Sequence, residues 1–244
     1  MNAMTDIQKN TKLVIKDNTL IMASYRLTVE EQRLILACIS KAHDNKKTLA
    51  DSAIKVTLSV ADYAELYNVK MKTAYEALPL SSDKLWERTI RIPEGNKERK
   101  IRWLQEQATY DSGKVQLIFS TAVSDLLRNL VSDQATRYRL EQATQLRNQH
   151  AIRLFEIFQM LIDQKTQEAS WDISVAELKK ILDIENSYGR WADFRKRVIE
   201  EPIKQLNNNT SLKVDWEVSG KVGKRIDRVL FHVFEGDQLS LKLK

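Results

Sequence analysis

The chain has 244 residues, of which 43% are hydrophobic and 30% charged, with only six Gly and three Pro. At about 150 residues per domain this describes an ordered, helix-rich protein of one large or two small domains, with disorder a minor theme. A net charge of +6 and a pI near 9.2 permit a polyanionic partner without requiring one. The single cysteine, Cys38, excludes an internal disulfide. No apolar run approaches the roughly 20 residues of a bilayer span, and the N-terminus lacks a secretory leader pattern, so the expectation is a reduced cytoplasm and no membrane role.

Residues 1–20 are polar and mixed and read as a flexible lead-in. Thr28 and Glu31 have capping-box spacing, and Leu34, Ile35, Cys38 and Ile39 follow at helical intervals, which predicts a helix over 28–42 with Cys38 on its buried face. After a polar loop from His43 to Asp51, Ser59 and Asp62 cap a short helix through Tyr63, Leu66 and Tyr67. A third helix runs from Met71 to Trp86, disturbed at Pro79. The period then changes to two, and 88–120 reads as a small antiparallel sheet with turns at Pro93–Asn96 and Asp111–Gly113. A helix over 121–131 closes this half, and the second half opens with a helix carrying Ile152, Leu154, Phe155, Phe158 and Leu161.

Leu58-Ser59-Val60-Ala61-Asp62 returns as Ile173-Ser174-Val175-Ala176-Glu177. In each copy a long helix precedes the capped short one, and a third helix and alternating strands follow: Thr89–Ile92 in the first copy, and Leu212, Val214, Trp216 and Val218 in the second. Two copies of one module are implied. Three helices and a β-hairpin make a winged helix, a helix-turn-helix variant whose third helix enters the DNA major groove. The fold class is therefore α+β, with two tandem winged-helix domains. The expected boundaries are a lead-in over 1–20, a first domain over 21–132, a second over 133–236 and a tail over 237–244.

The third helix of the second module places Trp191, Phe194 and Val198 on one face and Arg190, Lys196 and Arg197 on the other, with Arg195 nearer the apolar side as a support for the fold. The planar guanidinium fork matches a guanine edge or a phosphate; the bland alternative is a solvated face balanced by Glu200 and Glu201. Pro202 predicts a kink near Val198–Pro202. Lys221, Lys224 and Arg225 flank a glycine-containing turn, positioned as a phosphate clamp or simply as a charged, solvated tip. Lys97, Arg99, Lys100 and Arg102 form a similar cluster beside the first module's turn. His43, His150 and His232 show no metal-ligand spacing, and the glycines form neither a Walker loop nor a dinucleotide turn. No enzyme, cofactor or metal is read from this chain.

The stretches Thr28–Ser40 (TVEEQRLILACIS) and Ser59–Tyr75 (SVADYAELYNVKMKTAY), Tyr138-Arg139-Leu140, Ile152–Glu156 (IRLFE) and Trp191–Asn207 (WADFRKRVIEEPIKQLN) together resemble the Rep initiators of iteron-containing bacterial plasmids, the RepE/RepA type, over residues 20–235. One departure is Phe155, where such proteins commonly carry Tyr. The resemblance implies a non-catalytic initiator of plasmid replication that binds origin iterons as a monomer and, as a dimer in equilibrium with it, an inverted-repeat operator. It implies host initiator and helicase-loading proteins as partners. The main iteron-reading helix maps onto Arg190–Lys204, which adds Lys204, with Lys221–Arg225 as its wing. Lys70, Lys72 and Lys84 of the first domain's third helix, and its basic hairpin, supply backbone contacts, and that domain's sheet is the dimer surface. A winged-helix transcriptional repressor shares the same features, and a DNA-nicking enzyme is a third class.

Overall fold

A computed structural model describes residues 12–45, 47–128 and 134–236. In chain order the elements are β1 (Leu13–Asp17), α1 (Asn18–Met22), α2 (Val29–Asp44), β2 (Lys55–Ser59), α3 (Val60–Tyr67), α4 (Met71–Trp86), β3 (Thr89–Glu94), β4 (Lys97–Arg102), β5 (Leu104–Tyr110), β6 (Lys114–Phe119) and α5 (Thr121–Arg128). There follow β7 (Ala135–Arg139), α6 (Leu140–Thr144), α7 (Gln149–Leu161), β8 (Glu168–Ser174), α8 (Val175–Ile181), α9 (Trp191–Phe194), a π-turn (Arg195–Glu200), α10 (Glu201–Asn209), β9 (Leu212–Val222) and β10 (Arg225–Glu235). Of the expected closing helix over 121–131, residues 129–131 lie outside the described residues, as do the expected tail over 237–244 and the first eleven residues of the lead-in.

The described residues fall into two compact units that no single cut separates. One comprises residues 12–20, 30–89 and 101–144; the other comprises 21–29, 90–100 and 145–236. The expected boundary after residue 132 is corrected accordingly, because two early segments belong with the second unit. The lead-in is also corrected over its last residues: Leu13–Asp17 forms a strand, paired antiparallel with β7 from Leu13 opposite Arg139 to Asp17 opposite Ala135.

Within the first unit, Cys38 lies fully buried on α2, and burial pushes its thiol pKa up to about 12. Glu31, also buried, accepts two hydrogen bonds from Arg88, at 2.9 and 3.3 Å. The Ser59 cap is a full capping box: its hydroxyl accepts from the Asp62 N–H at 3.0 Å, and the Asp62 carboxylate accepts from the Ser59 N–H at 3.4 Å. Asn68, with φ at 48°, ends α3 in the left-handed region, and α4 begins three residues later. Ala74, Leu78, Ser81, Ser82 and Leu85 are the buried face of α4, which runs through Pro79 unbroken.

The internal repeat extends to strand register. Strand order is β2-β6-β5 in the first unit and β8-β10-β9 in the second. Leu58 pairs with Val115 and Ser59 with Lys114; Ile173 pairs with Val229 and Ser174 with Arg228. All four apolar partners are buried, so both capped helices start from the same point on the same three-stranded platform. This equivalence corrects the position of the first wing. It is β5–β6, with its turn at Asp111–Gly113 and Gly113 at φ 70°, and not the basic β3–β4 hairpin, which forms its own two-stranded sheet.

The early segments of the second unit are fastened by two arginines. Arg153 of α7, 3% exposed, donates to the carbonyls of Ile21 (2.8 Å) and Ala23 (3.1 Å) and to the Tyr25 hydroxyl. Its guanidinium lies 3.8 Å from the Tyr25 ring centre and 3.5 Å from the buried Glu156 carboxylate. Arg91 of β3 bonds to Asp183, to Glu185 at 3.1 Å and to the Ser24 hydroxyl at 2.9 Å, while Ser24 and Arg91 exchange backbone hydrogen bonds. Removing one partner of a buried, hydrogen-bonded charge pair leaves the other uncompensated. Arg153→Met is therefore expected to destabilise the protein by about 3–5 kcal/mol, measured as a shift of the urea unfolding midpoint, whereas Phe155→Leu, a volume change without an orphaned charge, costs less.

Candidate nucleic-acid interface

The second unit presents its cations on an interrupted helix. Phe194, Val198, Ile199, Pro202, Ile203 and Leu206 are buried, which pins one side of α9, the π-turn and α10 to the core. Pro202 has no N–H to donate to the carbonyl of Val198, and the turn just before it widens to π geometry, with the Glu201 N–H donating to the carbonyl of Lys196. The kink expected near Val198–Pro202 takes this form. The wider turn brings three consecutive cations, Arg195, Lys196 and Arg197, to the surface together. This corrects the assignment of Arg195 as an internal support: it is exposed and pairs with Glu200 at 3.3 Å.

Arg190, at the N-cap of α9, pairs with Asp193 at 2.9 Å with its side chain 85% exposed. Lys196, Arg197 and Lys204 are exposed and make no ion pair among the described residues. A residue held by a carboxylate has part of its charge already satisfied, so these three are the freest to take a phosphate or a base edge.

The β9–β10 hairpin turns through Gly223 (φ 60°) and Lys224, with glycine in the first position of a two-residue turn, where a positive φ is needed. Lys221, Lys224 and Arg225 are all exposed, Arg225 with Asp227 at 3.4 Å. A polar brace spans the three strands at the hairpin's base. Asp172 of β8 accepts from the Ser219 hydroxyl at 2.7 Å and from Arg228 Nε at 3.2 Å, and these contacts, Ser219 first, hold its carboxyl below the ordinary range. A Cβ on Gly220 would meet the Arg228 side chain at 3.1 Å, so glycine lets the two strands close at that level. A cleft of about 250 Å³ separates the start of α9 from the hairpin, lined by Lys179, Tyr188, Trp191, Phe194 and Arg225 among others.

The cations expected of the first module divide between the units. Lys70, at the N-cap of α4, and Lys72 and Lys84 on the helix are exposed in the first unit. Lys97, Arg99 (paired with Glu94 at 2.8 Å) and Lys100 are exposed on the β3–β4 hairpin, which clusters with the second unit. Sequence reasoning did not find the polar cleft of about 510 Å³ in the first unit, where Lys41, Lys55 and Lys114 converge around Ser59 and Asp62. The pairing of β2 with β6 brings in Lys55 and Lys114, and Lys41 reaches Asp62 from α2 at 2.9 Å; no local pattern announces either. Among the described residues no three His, Cys, Asp or Glu side chains gather as a metal site, and no helix is long and apolar enough to cross a membrane.

A capped helix, a second helix with an outward cationic face and a braced cationic hairpin define a winged-helix DNA-binding protein. Family models place it further: the model of "Initiator Replication protein, WH1" matches residues 13–159 and that of "Initiator Rep protein, WH2" matches 174–233. The chain belongs to this family of plasmid replication initiators, whose class is that of DNA-binding proteins and not of enzymes. It is 28% identical over 232 residues to a replication initiation protein of Escherichia coli, covering 94% of this chain and 72% of that protein. It is 26% identical over 229 residues to an uncharacterized 27.6 kDa protein of the same organism, covering 87% and 93%. In fold it resembles the Pi initiator protein, solved in complex with iteron DNA, with a TM-score of 0.73 at 18% identity over 94% of this chain and 99% of that one. It also resembles domains 2 and 3 of RctB, with a TM-score of 0.54 at 15% identity over 85% and 82%.

His150 supports the approach to α9. It is buried on α7, with Nε2 3.2 Å from the Tyr188 hydroxyl, and Tyr188, at φ 54°, sits two residues before Arg190. Burial, reinforced by the charge of Arg26, lowers its pKa to about 4. The folded state thus binds the proton less readily than the unfolded chain, whose imidazole titrates near 6.5. Above pH 6.5 both states are neutral and stability is intact; between about 6.5 and 4 the unfolded state gains protons first and stability falls. The expected loss is on the order of 3 kcal/mol, read as the difference between the pH profiles of wild type and His150→Gln, the variant being flatter over that window.

Proposed function

We infer that this initiator binds directly repeated iterons in a plasmid origin as a monomer, with the second unit reading the bases. Arg190, Arg195, Lys196, Arg197 and Lys204 face the major groove in this reading, and Lys221, Lys224 and Arg225 clamp the neighbouring phosphates. The supporting observation is the set of exposed cations without ion pairs among the described residues, Lys196, Arg197, Lys204, Lys221 and Lys224, carried by the third helix and hairpin of a winged-helix domain. The Pi initiator, similar in fold, is described in complex with iteron DNA.

Lys70, Lys72, Lys97, Arg99 and Lys100 add backbone contacts that position the protein without reading sequence. A dimer formed through the first domain's sheet occupies an inverted-repeat operator and represses synthesis of the initiator. On the opened origin the monomer meets host initiator and helicase-loading proteins in the cytoplasm.

Selection from a random duplex pool at physiological salt tests the reading. Two winged-helix modules, each covering about one helical turn of 10–10.5 bp, are expected to enrich one asymmetric site within a footprint of about two turns, its strongest base preferences under the second unit. Enrichment of a palindrome alone favours a dedicated repressor. On the selected site Arg197→Ala is expected to relax base preference at a cost of about 1–3 kcal/mol. Lys224→Ala is expected to weaken all duplexes alike and to lower the salt slope by about one. Uniform losses from both variants would remove Arg197 from base readout.

A further inference from the structure

The three-stranded sheet of the second unit has two faces of opposite character. On its inner side Val229, Phe231 and Val233 of β10 are fully buried. The alternate residues Leu230, His232 and Phe234 lie on the outer side, and Phe234 is 46% exposed. Strand register flanks this column with carboxylates. Leu230 lies between Glu217 and Asp172, His232 between Asp215 and Ser170, and Phe234 between Lys213 and Glu168. These three rows carry four carboxylates against one lysine, on a chain whose net charge is +6. Asp172 is engaged by Ser219 and Arg228, whereas Glu168, Asp215 and Glu217 are exposed and pair with no lysine or arginine among the described residues. A face of this sign repels a phosphate backbone and stays free on a protein bound to DNA.

The first unit carries a surface of matching sign. In its cleft of about 510 Å³ Lys41 is held by Asp62 at 2.9 Å, whereas Lys55 and Lys114 are exposed and make no ion pair among the described residues. Directly repeated sites relate one bound copy to the next by a shift along the DNA and a rotation about it, without a two-fold axis. Any contact between neighbours therefore joins two different surfaces. Pairing the acidic face with itself about a two-fold axis would also set like charges against each other, at a cost. We propose that the acidic sheet face of one copy, led by Asp215 and Glu217, docks at the lysine cleft of a second copy on the adjacent repeat, against Lys55 and Lys114. This rests on the reading of the protein as a monomer on direct repeats. Complementary charge fixes which surfaces meet, and the exposed Leu230–Phe234 column gives the contact an apolar centre.

The test uses the full chain and the duplex site that the wild type selects, present once or as two direct copies whose spacing is stepped by single base pairs through one turn of about 10.5 bp. At the favoured spacing the wild type is expected to fill the second copy about tenfold more tightly than a lone site, and to lose that gain when half a turn is added. Two reversed chains, Asp215→Lys with Glu217→Lys and Lys55→Glu with Lys114→Glu, are checked for folding by circular dichroism. Each is expected to bind two copies within about twofold of independent binding at every spacing. Combining all four changes in one chain rebuilds the contact with its signs exchanged and is expected to return most of the gain, which neither added positive charge nor a folding defect produces. Four outcomes overturn the proposal and leave the monomer reading standing: no gain in the wild type, a gain kept by either reversed chain, no recovery in the fourfold variant, or an equal loss at one copy and at two for the lysine reversals, which makes the cleft a phosphate contact. Failure of the wild type to select any site overturns the monomer reading and the proposal with it.

Discussion

The second unit is organised around a charge removed from water. Arg153 sits on α7 with its guanidinium occupied by two backbone carbonyls, a tyrosine hydroxyl, an aromatic face and Glu156. Ionised arginine is tolerated at such burial when its charge is paired and most of its donors are met, as they are here at both terminal nitrogens though not, among the described residues, at Nε. That requirement specifies the position of residues 21–25 more tightly than apolar packing could, because a hydrophobic segment can slide by a residue and a guanidinium fork cannot. With Ser24 held in place, Arg91 and the acidic turn at Asp183–Glu185 have a fixed point to meet. The connection carrying that turn leads through Tyr188 to the first residue of α9.

The cationic surface of the second unit follows from a different rule. A proline needs the preceding turn to do without its N–H, and a basic helix needs its cations to face one way. The π-turn ahead of Pro202 satisfies both demands. Its wider turn breaks strict 100° periodicity for a few residues, so that Phe194 and Val198 stay in the core while Arg195, Lys196 and Arg197 emerge side by side. Of these, Arg195 is balanced by Glu200 within the helix and the other two are not, so neighbouring cations on one surface differ in what they can offer a ligand.

What could be read from the amino acids alone was what depends on neighbours in the chain. Ser59 with Asp62, and Ser174 with Glu177, announce helix starts through contacts three residues apart, and both starts are where the spacing places them. The repeat built on them leads to the winged-helix plan, and the family models match both halves of it. The first wing was not legible. β3–β4 and β5–β6 both alternate with period two, and only the pairing of Lys55–Ser59 with Lys114–Ile118 shows which hairpin completes the three-stranded platform. Arg195 was misplaced because a helical wheel assumes a constant turn, and Leu13–Asp17 because a five-residue strand without alternation has no pattern until its partner at Ala135–Arg139 is known. In the basic surface the residue types were visible; which cations are already neutralised depends on rotamers and distances.

The two compact units are interleaved along the chain, with changes of membership after residues 20, 29, 89, 100 and 144. During synthesis the chain emerges from the ribosome from its N-terminus at a finite rate, and domains ordinarily complete in that order. Here Tyr25, Leu27 and Ile92, all buried in the finished protein, leave the exit tunnel long before α7 and Arg153 exist to receive them. The first unit can close around its own strands while these pieces wait unsatisfied, and the second unit is assembled only once residues 145–236 have been made. A product truncated before α7 therefore holds two pieces of the second unit without being able to build it, so the cationic helix and hairpin of that unit depend on segments made long before them.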